Sequence, residues 1–441
     1  MDITSVLLHA DDDVVNLLAD AAPGDTVVVR DSDERLIARE FIPMGHKLAR
    51  RTLAAGSPLR KYGEPIGTLT ADVASGAHVH VHNLRSGPPI EAKNSSSRFD
   101  ADALRAFGIA VATHAGVSAS AAVEMTEVML EADLRGVDTH GLRRLAPYLE
   151  RIRSHAVDGA AEPVIVRRAS IIDVDARNAI GHYAMMRACQ AIVAGAREQP
   201  VQVATIRESN HFGLAGYYVS WLAQRGFVAI CASNGTPCVA PPGGRVPFFS
   251  NDPLAIAAAD GEITVEYDVA LSSVSRARIA QSAERGNSIP SDWALDEAGI
   301  PTTDAAAALR GTLLPFGGER GFGLLFAVEI LAGVLGGGAF ADDVASKEQA
   351  GTIERTSHVL IAIASGALHD GHGFGQRLRA LVERMREVSR DASIAPRYPG
   401  ERRWELRRHR LKHGVPLDTA TVRALKRVAD SAAIAMPPEL V

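Results

Sequence analysis

Cysteine is scarce: Cys189, Cys231 and Cys238 are the only three in a chain of 441 residues. No two form a CxxC pair, so neither a zinc knuckle nor a disulfide framework is indicated, and a reducing, cytoplasmic setting fits. There is no HExxH run either, and no metal is expected. Basic charge is not in excess. The formal net charge is -5, which disfavours nucleic acid as a partner. The opening MDITSVLLHADDD has no basic n-region, so a signal peptide is not expected. A clean apolar span is also missing. Residues 321–340, GFGLLFAVEILAGVLGGGAF, could reach across a bilayer, but they contain Glu329 and a cluster of glycines. They read as a buried helix with a glycine-rich exit, and no membrane association is expected. The GxGxxG dinucleotide fingerprint is absent too. DGHGFGQRL, residues 370–378, follows a strand-like run, but its glycines are spaced GxGxG and a basic segment follows its helix. His369 and His372 beside it read as surface-loop residues.

The composition, 46% hydrophobic and 22% charged, is ordinary for a globular protein, and the length implies two or three domains. Residues 1–84 are short apolar runs between Gly and Pro punctuation: DTVVVRD, GTLTADV and HVHVHNL read as strands. Strict alternation in HVHVHNL places His78, His80 and His82 on one strand face. RSGPPIEAKNSSSR marks a linker over 85–98. After Phe99, helical periodicities (AVEMTEVMLEADL, GLRRLAPYLERIRSH, AMMRACQAIVAGARE) alternate with strand-like runs (PVQVATIR, FVAICASN, EITVEYDVAL, HVLIAIA). Residues 99–441 are thus an α/β domain. No internal repeat is evident. The basic tail segment ERRWELRRHRLKH reads as a solvated helix face.

Three segments concentrate chemistry. In RGVDTHGLRRL, residues 135–145, Gly136 should stop one helix, and Asp138 or Thr139 should cap the next. His140 would then sit in the first turn, where the helix dipole, Arg143 and Arg144 disfavour imidazolium. A neutral histidine can act as general base, and Arg144 can offer a fork to a carboxylate. A base beside a carboxylate clamp suits oxidation of a 2-hydroxy acid; a capped surface helix with an idle histidine is the plainer alternative. In ESNHFGLAGYY, His211 lies on the loop leaving PVQVATIR, where functional groups concentrate. The Gly-, Pro- and Asn-rich run 231–253 has the length of a binding loop, and Asp268 closes the strand EITVEYD.

Taken in order, RGVDTHGLRRLAPY, SNHFGLAGYY, NGTPCVAPPGG, FFSNDPLAIA, WALDEAGIPTTD, LLPFGGERGFGLLFAVEILAGVLGGGAF and YPGERRWELRR resemble the type-2 malate/L-lactate dehydrogenase family. The resemblance spans about residues 99–435. It implies an NAD- or NADP-dependent oxidoreductase of a small 2-hydroxy or 2-oxo acid, with a family-specific nucleotide-binding fold that is not a Rossmann fold, and a homodimer. Carried over by position, it places the Ser/Thr-His pair on Thr139 and His140, the substrate arginine on Arg144 and the HFG histidine on His211. Either histidine can hold the acid/base role. Cofactor contacts fall on Asn234, on Asp268 through Val274 (Ser272, Ser273 and Val274 included), on Arg320, and on Gly400 and Glu401. The chain departs from the family pattern in three places: SNDP replaces GTNP and puts Asp252 where an amide is usual, Arg320 replaces a lysine, and Leu271 replaces Thr or Ser.

Residues 1–90 resemble a different family. GHK, KYGEPIG and HVHVHN are similar to the small β-rich SAF, or β-clip-like, domain of altronate/galactarate-type dehydratases and of the sulfolactate sulfo-lyase small subunit. Matching positions are His46, Lys47, Lys61, Tyr62, His78, His80 and His82. This resemblance implies an active site shared with a large dehydratase or lyase subunit, engaged through residues 1–84. Two function classes therefore stand side by side. One is a dehydrogenase acting on a malate-, lactate- or sulfolactate-type acid. The other is a lyase small subunit whose dehydrogenase-like part is a scaffold.

Overall fold

The structure, a computed structural model, describes residues 2–9, 11–30, 32–61, 64–80, 82–85, 97–346, 351–367, 373–388 and 396–440. Tyr62, most of the expected linker, and His369 and His372 lie outside the described residues. The chain divides into two compact units: Met1–Ser95 with Leu381–Arg397, and Ser96–Ala380 with Tyr398–Val441.

The N-terminal unit is built from short strands. One sheet runs Arg35–Ile37, Thr26–Val29, Asp2–Val6, Val14–Leu17, Lys47–Ala49, His78–Val79; another runs Pro58–Lys61, Glu64–Leu69, Leu84–Arg85. The first sheet curls, so one strand feeds two cores. Val15 and Leu17 pack with Ile3, Val27 and Leu48, whereas Val14 packs with Leu59, Leu69 and Val79. A repeat the sequence hides is plain here. Gly24, Gly45, Gly56 and Gly76 have φ of +89°, +80°, +81° and +86°, each the third residue of a turn before a strand. The four turns close with the same bond: Asp25, His46, Ser57 and Ala77 donate to Ala22, Pro43, Ala54 and Ala74 at 3.0–3.1 Å. Three positions before each glycine stands a buried apolar residue, Ala21, Ile42, Leu53 and Val73, and these pair across as Ala21 with Ile42 and Leu53 with Val73.

HVHVHNL does not form the expected long strand. Pairing stops after Val79 because Asn83 ties the chain into a turn. Its Nδ2 donates to the His78 carbonyl at 2.9 Å, and its Oδ1 accepts from the His80 N–H at 3.0 Å.

The larger unit is α/β, as expected. Across its seven-stranded sheet the order is Val164–Arg168, Ile171–Asp175, Val201–Ser209, Thr356–Ala364, Phe227–Ser233, Leu254–Asp260, Ile263–Val269. Only Ile171–Asp175 and Val201–Ser209 pair in parallel; every other neighbour is antiparallel. The strand before DGHGFG lies at the centre, antiparallel on both sides, which no Rossmann βαβ unit allows. Helices Gly181–Ala194 and Ala215–Ala223 cover the sheet, with Met185, Ile192, Tyr218 and Leu222 packed on Ile172, Ile206, Ala229 and Leu360. A second core joins helices Ala101–His114, Ala119–Leu134 and Thr419–Ala432 through Leu104, Met125, Leu130, Leu145 and Leu425. All three cysteines are free.

Two expectations need correction. The run 321–340 is only half buried. Helix Glu319–Glu329 passes into a π turn, Ile330–Val334; Leu325, Val328 and Ala332 face inward, but Val334 is 56% and Leu335 62% exposed. Periodicity failed here because both faces are apolar. The basic tail helix, Glu401–His413, is not simply solvated either. Arg403, Arg407 and Arg410 turn inward onto Glu266, Glu131 and Asp138. Among the described residues, no helix is long and apolar enough to cross a membrane.

Candidate functional site

Helix Ala119–Leu134 ends where expected, at Gly136 with φ +73°. The next segment differs from expectation. Two 3-10 turns, Asp138–His140 and Leu142–Arg144, precede a helix that starts only at Leu145. Neither Asp138 nor Thr139 caps it. The cap is replaced by buried Asp133, whose Oδ2 accepts the Leu142 N–H at 2.8 Å, while Asp138 pairs with Arg410 at 3.2 Å. His140 therefore sits outside any α-helix, and the dipole argument for its neutrality does not apply. Gly141 is required by close packing: a Cβ there would fall 1.7 Å from Asp133 Oδ1.

His211 lies on the loop between strand Val201–Ser209 and helix Ala215–Ala223, as the sequence suggested. The fold brings it to His140, with ring centroids 5.7 Å apart and planes 15° from parallel. Thr139 Oγ1 is 3.0 Å from His140 Nδ1, and Arg144 Nε donates to the Thr139 carbonyl at 2.8 Å. The histidines, Thr139 and Arg144 thus form one cluster from two distant segments.

Four further residues complete it. Tyr148 places its hydroxyl 2.6 Å from His211 Nδ1. Glu354, buried, accepts the His211 backbone N–H at 2.9 Å and meets Arg151 at 3.4 Å. His182, fully buried, abuts Tyr148 edge-on at 4.9 Å. Burial, with His140 and His358 next, pushes the His182 pKa down to about 3, and burial raises the Tyr148 phenol above its ordinary range. Tyr148, Arg151, His182, Asn210, His211 and Glu354 share the lining of one small cavity. Tyr148 could have been found in the sequence, because it is one turn past Arg144 inside the same motif. Glu354 could not, because only the strand pairing brings it near.

The expected cofactor positions divide. Asn234 spends its side chain inside the fold, donating to Glu329 and the Ala339 carbonyl and accepting from the Ser357 N–H at 2.8 Å. Asp268 accepts the Gly216 N–H at 2.9 Å and lies 3.6 Å from Arg403. Ser272 and Ser273 donate to the carbonyls of Val274 and Pro315. Gly400, φ +88°, lets the chain press on the Glu266 backbone and starts the helix at Glu401. Leu271 is core. Asp252 is fully buried, and burial, then Glu329, pushes its carboxyl well above the ordinary range. That shift favours the neutral acid, the form nearest in charge to an amide. Arg320 differs from all of these. It is exposed, has no hydrogen-bond or ion-pair partner among the described residues, and follows Gly317 and Gly318, whose φ are +60° and +63°. A glycine turn before a helix N-terminus, with a free guanidinium, is a fit for a phosphate group.

In the N-terminal unit, His46, His78, His80 and His82 come together. His46 Nδ1 is 2.9 Å from His78 Nε2, and the His46 and His80 rings stack at 4.4 Å. Burial and then the neighbouring imidazoles push His78 down to about 4. Lys61 lies beside Lys47, whose ammonium is lowered first by burial and then by Lys61. A groove in the same unit is lined by Asp11, Asp12, Glu34, Arg50, Arg51 and Arg60, and in it Arg50 pairs with Glu34 at 2.8 Å. Among the described residues no group of three or more His, Cys, Asp or Glu could hold a metal ion.

Comparison with known proteins covers both units. Residues 99–426 match the malate/L-lactate dehydrogenase family model, and residues 3–87 match the altronate/galactarate dehydratase SAF domain. The malate/(S)-sulfolactate dehydrogenase of Methanothermus fervidus is 31% identical over 327 residues, 74% of this chain and 95% of that protein. The (2R)-3-sulfolactate dehydrogenase (NADP(+)) of Chromohalobacter salexigens is 33% identical over 74% of this chain and 96% of its own length. The solved sulfolactate dehydrogenase of Methanocaldococcus jannaschii superposes with a TM-score of 0.72 at 26% identity, covering 77% of this chain and 98% of that one.

Proposed function

From the premise that this chain belongs to the malate/L-lactate dehydrogenase family over residues 99–426, we propose that it oxidises and reduces a small 2-hydroxy/2-oxo acid pair of the malate, lactate or sulfolactate type. The observation that carries the reading is the His140–His211 pair, stacked at 5.7 Å, with Thr139 and Arg144 beside it. NAD or NADP, when bound, would supply the acceptor for the hydride that leaves C2 of the substrate in the oxidation. The histidine pair handles the hydroxyl proton, and the Arg144 guanidinium holds the carboxylate. Orientation is the rest of the protein's contribution. Arg320 and the Gly317–Gly318 turn hold a cofactor phosphate. Asn234, Asp268, Ser272, Ser273, Val274, Gly400 and Glu401 shape that site mainly through the backbone they fix. The outward Phe326, Ile330, Val334 and Leu335 fit a homodimer face.

A second reading concerns the N-terminal unit, supported by its four clustered imidazoles: it serves as the small subunit of a hydroxy-acid dehydratase or sulfo-lyase. The deciding assay is absorbance at the reduced-nicotinamide band with NAD or NADP and malate, lactate, sulfolactate or ureidoglycolate. Turnover with one of these, abolished by His140→Ala, supports the dehydrogenase. Silence across the panel with both cofactors rejects it and leaves the lyase reading.

A further inference from the structure

We propose that Tyr148 and the Gly213 backbone N–H lock His211 as a neutral imidazole protonated on Nε2. His211 is then a hydrogen-bond donor to the reacting oxygen, and proton abstraction belongs to His140. The inference rests on the dehydrogenase reading for its chemistry but not for its structural half.

The argument starts at His211 Nδ1. The Gly213 N–H points at this nitrogen from 3.3 Å, and a backbone N–H can only donate. Nδ1 must therefore carry a lone pair. The Tyr148 hydroxyl lies 2.6 Å from the same nitrogen, and burial keeps the phenol protonated, so it can donate to the lone pair that the Gly213 N–H requires. A proton on Nδ1 would face the Gly213 N–H head-on. Imidazolium and the Nδ1–H tautomer are both disfavoured, and the ring proton resides on Nε2.

The surroundings hold this arrangement in place. Gly213 has φ +80°, and a Cβ there would come within 2.9 Å of both His182 Nε2 and Val128, so only glycine keeps that N–H on target. Glu354 fixes the His211 backbone from the other side at 2.9 Å. A neutral Nε2–H can polarise a carbonyl oxygen or hold a hydroxyl oxygen, but it has no lone pair with which to take a proton. His140 is placed differently. Its Nδ1 meets the Thr139 hydroxyl at 3.0 Å, a group that accepts as well as it donates. With Nδ1–H given to Thr139, Nε2 is a base. In the oxidation, His140 Nε2 would take the substrate O–H proton while the C2 hydride leaves for the acceptor that NAD or NADP would supply. The C–O bond becomes C=O, held by His211. Tyr148 is a positioning residue in this scheme.

The test is nitrogen NMR of the full-length protein carrying labelled histidine, over about pH 6 to 9. The His211 signal is identified by its loss in His211→Gln. The expected pattern is neutral Nε2–H at every pH, with Tyr148→Phe converting it to a titrating or mixed-tautomer ring. An Nδ1–H or imidazolium pattern in the unsubstituted protein overturns the inference, whether or not any acid turns over. In the turnover assay, His211→Gln, whose amide N–H can replace the donor, should stay within about tenfold. His140→Gln should lose about a hundredfold or more. The opposite ranking overturns the assignment, whereas silence of the unsubstituted protein counts against the dehydrogenase reading itself.

Discussion

Arg407 donates to both carboxylate oxygens of Glu131, from Nη2 at 2.6 Å and from Nε at 2.9 Å, although the two residues are 276 positions apart in the chain. Glu131 also holds Arg135 at 2.9 Å, Arg135 meets Glu266 at 2.7 Å, and Arg403 reaches Glu266 at 3.3 Å. This line of charge ties the helix leading to His140 to the edge strand Ile263–Val269 and to the tail helix. Trp404 lies over the Arg135 guanidinium at 4.4 Å.

Arg135 is the centre of the line and is buried with Glu266. Arg135→Met leaves two carboxylates short of a partner, and breaking a buried pair on one side costs about 3–5 kcal/mol. Chemical denaturation followed by circular dichroism should show the loss. Adding Glu266→Leu should recover much of it, because a well-packed apolar pair replaces a buried ion pair at little cost. A single variant as stable as the parent would mean that the network carries no net stability.

The same network shows where sequence reasoning stops. His140 after the Gly136 stop and His211 on a strand exit were legible, since both depend on local turn chemistry. That the two meet was legible only through the order of motifs. The partners of Arg403, Arg407 and Arg410 were not, because a helix periodicity says which residues share a face but not which acids lie opposite. Asn83 ended the strand HVHVHNL by bonding back on itself, a competition that alternation alone cannot register. The four-turn repeat stayed hidden for the opposite reason: its shared features, a glycine and a buried apolar residue three positions before it, are too common a pair to mark a repeat.

Asp133, which accepts the Leu142 N–H, should make the turn carrying His140 sensitive to pH. Burial pushes its carboxyl up to about 8, against the Leu142 N–H and Arg410, which lower it; Asp138 and Asp418 raise it further. An acid with a raised folded pKa holds its proton in the folded state while the unfolded chain releases it at about 3.9. Its contribution is therefore fully present below that value and is lost as pH rises towards about 8. Asp133→Asn keeps an oxygen for the Leu142 N–H and removes the titration. The stability difference, variant minus parent, should grow between about pH 4 and 8, by on the order of 1 kcal/mol per unit at most, then level off. Denaturation midpoints at several pH values decide it. A difference that stays constant with pH would show that Asp133 ionises normally in the fold.

In the proposed site, Arg320 is the side chain that would hold a cofactor phosphate. It is exposed at the start of helix Glu319–Glu329, behind two glycines of positive φ, and among the described residues nothing pairs with it. Arg320→Gln should raise the KM for the cofactor about tenfold or more, with kcat little changed, because a lost ground-state contact acts on binding. Arg320→Lys, the residue usual in the family, should recover most of the affinity, since it restores charge without the fork. Comparing NAD with NADP locates the phosphate. An equal loss for both places Arg320 on the pyrophosphate, and a loss for NADP alone places it on the ribose phosphate. Unchanged KM for both cofactors would remove Arg320 from the site and turn attention to the buried positions around Asn234 and Asp252.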